Sequence, residues 1–315
     1  MSKASGESPF WFLRELSNAM DRGVGGDWGC RWDTNDTEDF PSVRIAIQGE
    51  PGSFSHEAAL KAHPQATILP CALSAEVFAA VCEGAVDAAV IPIENSLAGS
   101  VLEHYDLLLA HDVAVESEWL LRIRHNLIGV PGTSLERIRQ AYSHPVALAQ
   151  CRRFFVEHPE IEAVAYYDTA GSVKQLTELR ETSVAAVASA QAASHYGGEI
   201  LLSGIEDNPE NYTRFFLIRT RSQVAADAHP DKVSLAFAVE NRPGSLVEAL
   251  QVFAGMRTNI TRLESRPVPG RPWEYVFYAD YQLAQPATAD VVLNMLPKHC
   301  SMVRELGRYR AATGV

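Results

Sequence analysis

The sequence predicts an α/β protein in two parts, a large first part and a small second one. Three observations carry this. From Arg44 onward, short β-branched runs alternate with stretches of helical spacing, the pattern of strands and crossover helices. One of those runs, "AVDAAVIPI", is almost wholly apolar, as a strand covered on both faces must be. The alternation then stops at "RSQVAADAHPDK" (221–232), a polar stretch of small residues that reads as a linker, and a different order of elements follows.

In chain order, "SVRIAIQG" is a strand ending at Gly49, and "SHEAALKAH" a helix. "GSVLEHYDLLLAH" places Val101, Tyr105, Leu108 and Leu109 at helical spacing. "WLLRIRHNLIGV" is expected to form one strand. "PVALAQCRRFFVEH" is expected to form one helix, with Pro145 in its first turn. "SVKQLTELR" is a helix, "SVAAVAS" a strand, and "AQAASHYGG" a helix closed by Gly197-Gly198. "NYTRFFLIRT" supplies a last strand, and the expected sheet, single or double, is largely parallel. Beyond the linker, "VSLAFAVE" is a strand and "GSLVEALQVFAGM" a helix. "NITRLESRP" and "WEYVFYADYQ" are strands around the "VPGRP" turn. "ADVVLNMLPKH" is a helix and "VRELGRY" a strand. That order, βαββαβ, is a small ferredoxin-like domain.

Composition narrows the function. The 315 residues carry a formal charge of −12, and Lys and Arg are scattered, so nucleic acid and anionic membranes are not expected partners. An anionic ligand must be held by local donors against the overall field. Five cysteines, an odd count without a C-x-x-C, argue against a disulfide framework or a zinc site and suit a reducing cytoplasm. No H-E-x-x-H is present, and no metal is expected. No apolar run approaches membrane-spanning length. Residues 1–42, Gly- and Asp-rich after a short stretch with Phe10, Leu13, Leu16 and Met20 near helical spacing, are expected to be a mobile extension. The alternative is a short helix docking on a partner subunit.

In an open α/β sheet, ligands sit beyond the carboxyl ends of strands, against helix N-termini. Five such junctions here are rich in short polar residues: "GEPGSFSHEAA", "IPIENSLAGS", "AYSHP", "YYDTAGS" and "NYTRFF". Any one of them is accounted for as a helix cap. Asn211-Tyr212-Thr213 also spells a glycosylation acceptor, which has no export signal to support it. Glu94 follows an apolar strand directly, where desolvation raises a carboxyl pKa. His144 is either a proton carrier or a neutral ring bonded near a helix start. No G-x-G-x-x-G, P-loop or G-x-S-x-G occurs, so neither a nucleotide cofactor nor serine-hydrolase chemistry has a motif.

Taken together and in order, "GEPGSFSHEAA", "PIENSLAGSV", "AYSHPVALAQC", "NYTRFFLI", "RPGSLVEAL" and "ESRPVPGRPWEYVFYAD" closely resemble the prephenate dehydratase family, from about Val43 to Tyr309. The resemblance implies a two-lobed, periplasmic-binding-protein-like α/β catalytic domain over 43–222, followed by a ferredoxin-like ACT regulatory domain over 231–315. One lobe would be about 43–118 plus 205–222, and the other about 119–204. The implied reaction is decarboxylative dehydration of prephenate to phenylpyruvate in phenylalanine biosynthesis, with no cofactor, because aromatisation drives it.

The resemblance also implies residue roles. Thr213 of "TRF" matches the catalytic threonine, Asn95 an active-site residue, and Glu94 either a proton source or an orienting group. Ser53, Ser96, Ser143, Gln150 and Thr169 are expected to position substrate, and Phe215 to pack the cleft wall. Arg214 either clamps a carboxylate or structures its turn. Some members carry a Glu just before the counterpart of Thr169; Tyr167-Asp168 stands there instead. Arg122 and Arg124 match no motif and are expected to be surface charges. Gly244, Ser245, Leu246 and Val247, with Asn259, Glu264, Ser265, Arg266 and Pro267, are expected to bind phenylalanine as feedback inhibitor between subunits of a homodimer or homotetramer. Arogenate dehydratase chemistry and a non-catalytic amino-acid sensor are the alternatives. A fused chorismate mutase is not expected, since residues 1–42 are too few and too Gly-rich for that helical domain.

Overall fold

The structure is a computed structural model that describes residues 42–225, 227–268 and 270–312. The expected extension over 1–42 lies, but for Ser42, outside the described residues. The chain packs as two compact units. One contains 43–104, 116–223 and Ala312; the other contains 105–115 and 224–311.

The larger unit holds two sheets. The first runs in the order β2-β1-β3-β11-β5, with β1 at Arg44–Gln48, β2 at Thr67–Cys71, β3 at Ala88–Asn95, β5 at Val113–Arg122 and β11 at Tyr212–Thr220; a short β4, Gly99–Ser100, also pairs with β3. The second runs β10-β6-β9-β7-β8, formed by Glu199–Ser203, Asn126–Gly129, Val184–Ala188, Gln140–Ser143 and Glu162–Ala165. The strand expected from "AVDAAVIPI" is central, and the side chains of Ala88 to Ile91 are all buried.

Parallel pairing is seen where helices make crossovers, at β1–β2, β1–β3, β7–β8 and β7–β9. The pairs β3–β4, β3–β11, β6–β9 and β6–β10 are antiparallel. Antiparallel pairing enters because the chain passes between the two sheets twice. The stretch expected as one strand, Trp119–Val130, is cut at Ile123–His125: β5 ends in the first sheet and β6 begins in the second. The return passage, between β10 and β11, is bonded to the outgoing one. Ile205 N–H donates to His125 O (2.9 Å), Ile123 N–H donates to Asn211 O (2.7 Å), and His125 N–H donates to Glu206 Oε2 (2.9 Å).

The expected helix over "PVALAQCRRFFVEH" is also two helices, Pro145–Ala149 and Arg152–Glu157. Asp207 makes the break. Its carboxylate accepts from Arg152 and Arg153 N–H (3.0 and 2.8 Å), and its own N–H donates to Gln150 O (2.7 Å). A carboxylate on free first-turn amides starts a helix afresh.

The smaller unit carries a four-stranded antiparallel sheet, β13-β14-β12-β15, from Ile260–Pro267, Tyr275–Gln282, Lys232–Ala238 and Met302–Tyr309. Helices Ser245–Gly255 and Ala287–Met295 follow β12 and β14, giving the βαββαβ order. Val233, Leu235, Phe237, Phe253 and Tyr281 form its core. Gly244, at φ +87°, opens the first of these helices in a conformation that costs glycine little. Ser245 Oγ donates back to Glu240 O (2.7 Å), and Leu246 packs on the core while Val247 is exposed. Ser265 and Pro267 lie on the edge strand β13 with Glu264, which pairs with Arg262. Just before that strand, Asn259 Nδ2 donates to Gln282 Oε1 (3.0 Å). Arg266 on the same strand is bonded to Asp106, so its guanidinium is engaged within this unit. Among the described residues no helix is long and apolar enough to cross a membrane.

Candidate active site

The motif junctions of the larger unit meet at a cleft between its two sheets. Two adjoining chambers, of about 650 and 280 Å³, share the walls Phe54, Pro92, His144, Asp168, Thr169 and Thr213. Glu50, Ser53, Tyr167 and Phe215 line the larger one, and Asn95, Ile123, His125 and Gln150 the smaller. Two helices, one from each lobe, begin at this cleft. Phe54–Ala62 is capped by Ser53, whose Oγ accepts from His56 N–H, and Thr169–Leu179 by Asp168, whose Oδ1 accepts from Gly171 N–H (2.7 Å). Helix N-termini present amides that have no carbonyl of their own helix to meet, and so favour anions.

The cleft floor is built by the register of β3 against β11. Asn95 stands opposite Thr213, and Glu94 opposite Arg214. Asn95 Nδ2 donates to Thr213 Oγ1 (2.9 Å) and to Asn211 Oδ1 (2.8 Å), while Asn95 Oδ1 accepts from the N–H groups of Leu97 (3.0 Å) and Ala98 (2.8 Å). Asn211 Nδ2 in turn donates to Gln150 Oε1 (3.0 Å), which also lies 2.9 Å from His125 Nε2. Thr213 is only 8% exposed, yet it lines both chambers. Its hydroxyl accepts from Asn95, which leaves the hydroxyl hydrogen for the cleft.

The rim is drawn together by Glu50 in the loop after β1. It accepts from Tyr167 OH (3.0 Å), Lys174 Nζ (3.2 Å) and Tyr196 OH (3.4 Å), all from the other lobe. Gly52 makes the close approach possible. At φ +87°, a Cβ there would fall 2.8 Å from Ala192 Cα, and Ser189 Oγ donates to its carbonyl (2.7 Å). Burial raises the pKa of the Asp168 carboxyl, against the lowering effect of the helix amides it accepts from. Burial lowers the pKa of His125, more than its bond to Gln150 raises it.

Of the residues expected at the site, Ser53, Asn95, Gln150, Thr169, Thr213 and Phe215 are brought to the cleft. Four are not, and each has a physical reason. Glu94 and Arg214 project to the opposite face of the ladder, since side chains alternate along a strand. There Arg214 Nε donates to buried Glu118 (2.6 Å), its Nη1 stands 3.6 Å from Glu94, and its guanidinium lies 4.7 Å over the Phe216 ring. On that face the Arg214 guanidinium is engaged by Glu118 and stands beside Glu94, away from the cleft walls. Ser143 is fully buried, its hydroxyl donating to Val187 O (2.5 Å), and it is the next residue, His144, that lines the cleft. Ser96 Oγ is taken up by Glu210 O and Tyr212 N–H (3.0 Å each), where it ties the two strand ends.

Asn211, His125, Phe54 and Asp168 were not singled out from the sequence. Asn211 sits inside a quoted motif but reads there as a glycosylation acceptor, and nothing local marks His125. Arg122 and Arg124 line a separate cavity of about 890 Å³ with Lys61 and Arg153; apart from Phe54, it shares no residue with the cleft. Among the described residues no group of three or more His, Cys, Asp or Glu is placed to hold a metal ion.

Comparison with known proteins agrees with this geometry. A family model described as prephenate dehydratase matches residues 45–223. Arogenate dehydratase/prephenate dehydratase 1, chloroplastic, of Arabidopsis thaliana is 37% identical over 286 residues, covering 86% of this chain and 73% of the relative. The solved structure of a prephenate dehydratase in complex with L-Phe from Arthrobacter aurescens superposes with a TM-score of 0.79 at 31% identity, over 86% of this chain and 90% of the other. A structure described as a novel type of quorum quenching acylase superposes equally well, with a TM-score of 0.79 at 36% identity, over 85% of this chain and 98% of the other. By the extent of the family match and the identity to curated relatives, the chain belongs to the prephenate dehydratase family of decarboxylating hydro-lyases.

Proposed function

We propose that the chain converts prephenate to phenylpyruvate, with Thr213 and Asn95 as the catalytic pair and no cofactor. The observation that carries this is the Asn95–Thr213 bond on the cleft floor, which holds one hydroxyl with its hydrogen unspent. Three things must happen to prephenate. The C4–oxygen bond breaks and hydroxide departs with a proton as water. The bond from the ring to its carboxylate breaks, releasing carbon dioxide. The electron pair from that bond completes the aromatic ring. One proton is taken up overall. A threonine hydroxyl is too weak an acid to be an independent proton source at neutral pH; Thr213 donates a hydrogen bond to the departing oxygen and relays a proton. The helix N-termini hold the side-chain carboxylate of the dianion, with Ser53 and Thr169 beside them. Phe54 and Phe215 keep the ring carboxylate in apolar surroundings, which favours its loss as neutral carbon dioxide.

In this reading residues 43–222 are the catalytic domain and 231–315 the regulatory one. L-phenylalanine binds as feedback inhibitor at Gly244–Val247, Asn259 and Glu264–Pro267, between two copies of the C-terminal domain in a homodimer or homotetramer. Support comes from the Gly244 turn at the start of a helix and from the edge position of β13, which a second copy can reach. Five cysteines, an odd count without a C-x-x-C, suit a reducing compartment, and we place the reaction in the cytoplasm. The plant relative's name, by contrast, carries the word chloroplastic.

A specific observation favours a second substrate. Glu50 and Asp168 on the cleft wall would meet the ammonium group of arogenate, which prephenate lacks. The deciding experiment mixes purified protein with prephenate, with arogenate, and with an N-acyl amide as control, and follows phenylpyruvate, phenylalanine and released amine. Phenylpyruvate from prephenate is the expected result. Turnover of arogenate alone moves the assignment to the amino acid, and turnover of neither overturns the dehydratase reading.

A further inference from the structure

The orientation of an amide side chain and the tautomer of a histidine are ordinarily assigned rather than seen. Around Asn95 the backbone settles them. The N–H groups of Leu97 and Ala98 can only donate, so the Asn95 atom they meet is Oδ1. Nδ2 therefore faces Asn211, the Tyr212 carbonyl (3.2 Å) and Thr213. Because Nδ2 can only donate, the Asn211 atom 2.8 Å away is Oδ1, and Asn211 turns its own Nδ2 toward Gln150. By the same step the Gln150 atom that Asn211 meets is Oε1. An amide oxygen can only accept, so His125, 2.9 Å away, carries a hydrogen on Nε2.

The polarity runs one way from both ends. His125 and Asn211 donate into Gln150, and Asn95 donates into Asn211 and Thr213. The His125 ring is 2% exposed and packs edge-on to Phe54, with centroids 5.7 Å apart. Its Nδ1 has no partner. A buried acceptor left bare is a cost that a leucine filling the same space would not carry. Packing alone does not explain an imidazole here; a fixed donor for Gln150 does.

We infer that His125 is a positioning residue for the reaction: its Nε2–H locks the amide of Gln150, and through Asn211 and Asn95 that lock keeps the Thr213 hydroxyl hydrogen directed into the cleft. Without this donor Gln150 can reverse its amide and set an N–H against that of Asn211. Asn211 then swings, and Asn95 Nδ2 loses its 2.8 Å acceptor, so its hydrogens are shared only between Tyr212 O (3.2 Å) and Thr213 Oγ1 (2.9 Å). The substrate is still bound, since its side-chain carboxylate is held elsewhere, but the hydroxyl spends less time aligned.

This rests on the reading of Thr213 as the group that meets the departing oxygen, so the test has an arm independent of turnover. Long-range proton–nitrogen spectra of the intact protein labelled at histidine, with His125 assigned by its absence in His125→Gln, should show Nε2 protonated and Nδ1 bare near neutral pH. The opposite tautomer overturns the inference whatever the kinetics. His125→Leu should lower kcat about tenfold, the span of one neutral hydrogen bond, with KM within about twofold. His125→Gln, which restores an N–H donor, should return kcat to within about threefold. Equal loss in both variants, a KM rising in step with the fall in kcat, or no loss in His125→Leu each overturns it. Should His125→Leu fail to fold, the tautomer and the His125→Gln rate still decide. A wild type inactive on both prephenate and arogenate would count against the functional reading and leave the spectral result standing.

Discussion

In the ladder between β3 and β11, Asn95 faces Thr213 and, one residue away, Glu94 faces Arg214. The two rungs share strands and backbone bonds but look to opposite sides of the sheet. On the cleft side the partners are a neutral amide and a hydroxyl, joined onward through Asn211 and Gln150. On the other side they are charges: Arg214 is 8% exposed and is bonded to Glu118, itself 7% exposed. The comparison separates chemistry from support. A cleft meant for a dianion gains from neutral donors that need no counter-ion, whereas the strand that fixes them can be anchored by an ion pair out of the substrate's reach.

The largest effect should come from breaking the supporting rung. Arg214→Gln leaves Glu118 buried without its guanidinium and should cost about 3–5 kcal/mol of stability, since removing one partner of a buried pair strands the other. Calorimetry should show the fall in Tm, while kcat per folded molecule below that Tm stays within about threefold. A variant that melts normally but no longer turns over would return Arg214 to the substrate.

A smaller effect lies with the buried histidines. Burial is the main cause lowering the pKa of His56, His104 and His125, aided at His56 by nearby His195. The unfolded chain therefore binds protons more readily than the folded one below the ordinary histidine value of about 6.5. Their contribution is complete above that value and is lost as pH falls through the folded values. Melting followed from about pH 7 to about pH 5 should show Tm decreasing, and His104→Gln should flatten that slope. An unchanged slope would mean that His104 takes up its proton equally readily in the folded and unfolded chain.

The smallest effect belongs to Glu94. Its side chain is 37% exposed and stands 3.6 Å from Arg214, so Glu94→Gln should cost less than about 1 kcal/mol. Steady-state turnover should stay within about twofold. A hundredfold loss would make Glu94 the proton source after all and erase the contrast between the rungs.

Much of this was legible in the sequence because local pattern and tertiary role coincide. The apolar run over Ala88–Ile93, the Gly197 helix stop and the βαββαβ order after the linker all appear where periodicity and caps put them. The site was legible only as junctions. Motif adjacency marked Glu94 with Asn95 and Thr213 with Arg214 as units, yet strand alternation divides each pair. "YSHP" pointed to Ser143, but its hydroxyl closes a bond to β9 and His144 takes the cleft position. Long-range partners were out of reach. Asp207 breaks a helix more than fifty residues upstream in the chain, and His125 meets Gln150 only after the chain has crossed between sheets. No periodicity within "WLLRIRHNLIGV" marks the crossing, because both halves are good strands.

The central claim is that Asn95 and Thr213 act as one unit on the departing oxygen. A double-mutant cycle on kcat with prephenate, using Asn95→Ala, Thr213→Ala and the pair, tests it most directly. The account predicts that Thr213→Ala lowers kcat about 10²–10³-fold with KM little changed, as loss of a donor aimed at developing charge does. It also predicts that the double variant is hardly slower than Thr213→Ala alone. Losses that multiply in the double variant, or a Thr213→Ala enzyme that turns over normally, would contradict it.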